Sequence, residues 1–80
     1  MKKITHETVE HVFNTIREKK AIPPEIYTIL SPRERQTLEL WLIKNLTLYR
    51  ISKQMGIAHS GSYFYRRMAS LKIMKYFSEK

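Results

Sequence analysis

Arg66 and Arg67 follow Ser60, Ser62, Tyr63 and Tyr65 within a single short stretch. Guanidinium groups and hydroxyls at this density are chemistry for an anion. An arginine can pair with the guanine edge or grip a phosphate, whereas Tyr and Ser hydroxyls more often position on phosphate. Arg50, Lys53, Lys72, Lys75 and Lys80 extend the set. Residues 48–80 thus hold seven basic groups against Glu79 alone, a net of +6. Residues 1–47 hold eight basic and six acidic groups, a net of +2. Two arginines on a helix are most often a solvated face; their concentration with this local charge favours a polyanion.

The rest of the composition removes other classes. Eighty residues make one small domain, and 42% hydrophobic residues suffice for one core. A charge of +8 leaves nucleic acid and an anionic membrane surface as partners. No spanning helix is expected, because the longest apolar run is Leu40-Trp41-Leu42-Ile43 and about 20 residues are needed. There is no Cys, so thiolate metal sites and cysteine nucleophiles are excluded, and a reducing cytoplasm is the expected location. Met1-Lys2-Lys3 resembles the charged start of a secretion signal, but His6, Glu7, Glu10 and His11 follow it directly. His6 and His11 are five apart, poor metal-ligand spacing on a helix. No phosphate loop, paired carboxylates or metal cluster is legible, so neither an enzyme nor a cofactor is expected.

The elements that must position the basic groups are helical throughout. A first helix is expected over about His6–Lys20, capped by Thr5, with an Ile4/Val9 staple and Val9, Val12, Phe13 and Ile16 on one stripe. Pro23-Pro24 stops it, and one or two helical turns follow to Leu30. Ser31-Pro32-Arg33-Glu34 forms a capping box with the favoured first-turn proline. The helix it opens should run to Asn45, with Trp41 and the leucines around it at the centre of the core. Thr47 then caps a short helix over Leu48–Met55, closed by Gly56. Ile57 to Gly61 read as a turn, and a last helix runs from Ser60 or Ser62 to about Phe77. The fold class is therefore all-α, a small bundle of four to five helices.

On the last helix, Phe64, Met68, Leu71 and Met74 share one face, expected to be the inner one. Ser62, Tyr65, Arg66 and Ala69 then cluster outward. Of Tyr63 and Tyr65, one is expected to close the core and the other to face the ligand. On this orientation Phe64→Ala removes a core side chain, at about 3–5 kcal/mol. Arg66→Ala and Arg67→Ala both leave melting unchanged. A short helix, a glycine turn and a longer basic helix make a helix-turn-helix pattern over residues 30–80, with residues 1–29 as a bracing or dimerisation segment.

Leu30-Ser31-Pro32-Arg33-Glu34-Arg35-Gln36-Thr37-Leu38-Glu39-Leu40 resembles the opening of the DNA-binding domain of LuxR-type regulators and of sigma factor region 4. The likeness continues through Leu46-Thr47-Leu48-Tyr49-Arg50-Ile51-Ser52 and Met55-Gly56-Ile57. A fainter one is to PapB-type fimbrial regulators. The entry to the last helix departs from the pattern. Counted without gaps, Ser62 and Arg66 take buried family positions, while an insertion of about two residues turns Phe64 and Met68 inward. The resemblance implies phosphate contacts from Thr47, Tyr49 and Lys53, and recognition-helix contacts from Ser60, Ser62, Tyr63, Tyr65, Arg66 and Arg67. Lys72 joins them from the charge count.

The expected function is a bacterial or phage-style transcriptional regulator that binds double-stranded DNA in a sequence-specific way. A homodimer on a palindromic operator and a contact to RNA polymerase are the further partners considered. The competing expectation is a helical protein-interaction module that binds RNA polymerase or another regulator without reading DNA.

Overall fold

The computed structural model describes residues 6–78. Within them lie five α-helices and no strand: α1 (His6–Lys19), α2 (Pro24–Ile29), α3 (Pro32–Leu38), α4 (Leu48–Met55) and α5 (His59–Ser78). A π-helical turn, Glu39–Ile43, continues α3. The expected Thr5 cap and the Ile4 half of the staple lie outside the described residues. None of the described helices is long and apolar enough to cross a membrane.

Local chemistry sets most of the boundaries. Val9, Val12, Phe13 and Ile16 recur at helical spacing and all are buried. Lys20 ends α1 in a left-handed conformation, φ 54°. Pro24 opens α2, whose Ile26 and Tyr27 amides donate to the Pro23 carbonyl. The capping box at α3 forms as its residues dictate. Glu34 N–H donates to Ser31 Oγ at 3.3 Å, and Ser31 N–H donates to Glu34 Oε1 at 2.8 Å. Arg35 joins α2 to α3: its Nε donates to the Tyr27 carbonyl at 2.7 Å and its guanidinium covers the Tyr27 ring.

The expected helix to Asn45 is changed in one respect. From Glu39 it widens, and the Lys44 amide closes a five-residue bond to the Glu39 carbonyl at 3.0 Å. Leu38, Leu40 and Leu42 are all buried. Two residues subtend about 200° on an ordinary α-helix, so Leu38 and Leu40 would face opposite ways there. Asn45 follows at φ 62°, the left-handed stop expected of it.

The core joins Val9, Val12, Phe13 and Ile16 to Ile26, Leu30, Leu38, Leu42, Ala69 and Ile73. α5 packs against α1, α2, α3 and α4, and the Trp41 helix supplies Leu38 and Leu42 to the core, as expected. Trp41 is half-buried: its ring meets Phe13 edge-on at 5.0 Å, and the Arg17 and Arg66 guanidiniums lie over it.

Candidate nucleic-acid interface

The basic segment is built on α4 and α5. Thr47 caps α4 as expected, its Oγ1 accepting from the Arg50 amide at 3.3 Å. Gly56 ends α4 at φ 68°, ψ 36°. Its amide donates to Lys53 and the Ile57 amide to Ser52, a Schellman closure that satisfies two end carbonyls. The chain re-enters a helix at once, since the Ala58 carbonyl accepts from Gly61 and Ser62. The turn is therefore Gly56–Ala58, three residues, and α5 starts at His59 and not at Ser60 or Ser62.

The two glycines have opposite roles. A side chain at Gly56 would meet open space, but the backbone there is left-handed. Gly56→Ala is expected to cost about 1 kcal/mol in chemical denaturation. Gly61 lies inside α5 with ordinary backbone, and an added methyl would touch Ile57 at 3.4 Å. Gly61→Ala is expected to stabilise by about 0.5–1 kcal/mol in the same measurement.

This early start sets the rotation of α5, and it overturns the expected orientation. Ser62, Ala69 and Ile73 are buried. Phe64 is 53% exposed and Leu71 46% exposed. Ser62 cannot reach a ligand: it is 0% exposed, and its hydroxyl lies 2.7 Å from the His59 carbonyl and 3.1 Å from the Leu48 carbonyl. The reason is the close approach of α5 to its neighbours. Small side chains at Ser62 and Ala69 let the backbones come together, and a phenyl ring cannot enter there. Of the two residues that the ungapped count turned inward, Ser62 is buried and Arg66 is half-buried. The Phe64→Ala expectation changes with it, from a core deletion to a surface substitution.

The other candidates divide into three groups. Thr47, Tyr49 and Lys53 of the α4 region are exposed, with the Lys53 ammonium 5.3 Å from the centre of the Tyr49 ring. Ser60, Tyr63 and Arg67 are exposed on α5. Tyr65, Arg66 and Lys72 are half-buried and engaged elsewhere. Arg33 lies over the Tyr65 ring at 5.9 Å. Arg66 sits over Trp41 at 5.0 Å and Tyr63 at 5.4 Å, a stacked arginine in place of the outward one expected. Lys72 Nζ donates to Glu34 Oε1 at 2.8 Å, which makes it an internal partner of the α3 cap.

Phe64 and Trp41 escaped the sequence reading of the site, and Arg50 entered it only through the charge count. Phe64 belongs to the outward stripe Ser60, Phe64, Arg67 and Leu71, spaced four, three and four along α5. Arg50 is exposed and shares a shallow recess with Leu46, Lys53 and Gln54. Trp41 lines a groove between α1 and α5 with Phe13, Tyr63, Arg66, Leu71 and Met74. Its placement follows the wide turn at Glu39–Ile43, which has no legible signal in residue types.

Comparison with family models, with curated proteins and with solved structures yields no match.

Proposed function

We propose that this chain is a sequence-specific regulator of transcription that binds double-stranded DNA through a helix-turn-helix formed by α4 and α5. It acts in the cytoplasm, without catalysis or cofactor. One observation carries the reading. The three-residue turn leaves Ser60, Tyr63 and Arg67 outward on the first half of a helix whose opposite face is buried, within a segment of net +6. Such a helix is about 10–12 Å across with its side chains, the width of the major groove. In this reading, α4 lies across the backbone, with Tyr49, Arg50 and Lys53 against phosphate. Two copies on a palindromic site would supply the area that one small domain lacks.

Fluorescence anisotropy against random duplex at several salt concentrations tests it. Affinity is expected to fall steeply, with a logarithmic slope near −0.9 for each phosphate neutralised. Binding indifferent to salt sinks the proposal.

A protein-interaction module is the second reading, favoured by the groove in which Trp41, Leu71 and Met74 form an exposed apolar lining beside Arg66 and Arg67. It calls for an acidic partner surface such as one on RNA polymerase. This reading would be selected if the native chain bound polymerase and no duplex, and if Leu71→Glu abolished the polymerase binding.

A further inference from the structure

We infer that Phe64 reads thymine, packing its ring on the C5 methyl group in the major groove beside the position that Arg67 reaches. The inference rests on the DNA-binding reading and deepens it.

Phe64 is 53% exposed, the most exposed aromatic of α5, and contributes nothing to the core cluster. It lies in the first half of the helix, on the same stripe as Ser60 and Arg67. Tyr65 meets its ring edge-on, with centroids 5.5 Å apart and planes at 71°. Tyr65 in turn packs under Arg33 of α3. An exposed phenyl between polar neighbours has a single complement among base edges. It has no donor or acceptor, so guanine, adenine and cytosine offer it nothing specific, whereas thymine presents a methyl group. The minor groove is excluded by size, since its width of about 6 Å does not admit a helix. A second copy on this stripe is disfavoured by charge. A two-fold contact would bring together two copies of a segment holding seven basic groups and one acid.

The experiment uses the full chain to recover bound duplexes from a random pool. In a recovered duplex each thymine is replaced singly by deoxyuridine, which removes only the methyl group. At one or two positions common to the recovered duplexes, the native chain is expected to lose about fourfold in affinity, the change that burying one methyl-sized group corresponds to. Phe64→Ala, with its melting temperature unchanged, is expected to bind the thymine and uracil versions equally at those positions. Three results overturn the inference while leaving DNA binding intact: uracil tolerated at every position, a uracil penalty that persists in Phe64→Ala, or recovered duplexes with no thymine in common. Absence of salt-sensitive binding to any duplex overturns the DNA reading and this inference together.

Discussion

Replacing Arg67 with alanine is expected to weaken duplex binding by about 1–3 kcal/mol, roughly 5- to 150-fold, and to leave the melting temperature unchanged. Its side chain is exposed on the outward stripe of α5. Arg66→Ala separates from it. The Arg66 guanidinium lies over Trp41 and Tyr63, and its stem is half-buried. Removing the stacking on both rings and the stem packing is expected to cost about 1–2 kcal/mol of stability. In a domain of this size that lowers the melting temperature by roughly 4–16 °C. Paired anisotropy and thermal melts of the two variants decide the rotation of α5. Equal effects of both variants on affinity and melting would contradict it.

The second large effect concerns Glu34. Glu34 is 4% exposed and makes three hydrogen bonds: its carboxylate accepts from Ser31 N–H and Lys72 Nζ, and its backbone amide donates to Ser31 Oγ. It ties the start of α3 to the second half of α5. Glu34→Ala removes one half of the capping box and the buried end of the ion pair, while Lys72 is exposed enough to turn to water. A loss of about 2–3 kcal/mol is expected in urea denaturation. Small domains have only about 5–15 kcal/mol in all, so this is a large fraction.

The same group makes stability depend on acid. Burial pushes the Glu34 carboxyl up, but hydrogen bonds from Lys72 and the Ser31 amide, with the Lys72 charge, outweigh it and hold the group below its ordinary value. A depressed carboxylate stabilises the fold fully above its unfolded value, about 4.3, and the contribution is lost as pH falls through the lower folded value. Wild type is therefore expected to lose stability as pH falls below about 5, and Glu34→Gln to lose less over the same range. Identical pH profiles for the two chains would remove Glu34 from this role.

The starts of α3 and α4 and the stops at Asn45 and Gly56 were legible in this sequence because each depends on a few neighbouring atoms. Ser31 and Glu34 satisfy each other's amides wherever the rest of the chain goes. Thr47 needs only the amide of Arg50. Asn45 and Gly56 supply left-handed residues where helices must end. The basic character of residues 48–80 is likewise a property of composition alone. The face that α5 presents is not. Phe64, Met68, Leu71 and Met74 lie toward one side of it and Ala69 and Ile73 on another, so periodicity offers more than one inner stripe and favours the wrong one. Tertiary packing made the choice. The tight turn brings α5 against α4, where Ser62 is buried with its hydroxyl on the Leu48 carbonyl, and Ala69 and Ile73 follow on the same side into the core. Phe64 and Arg67 are left outside by that contact, while Arg66 is drawn onto Trp41 and Lys72 onto Glu34. The charge was a matter of residue types, but which charges stand free was settled by the closest approach of two helices.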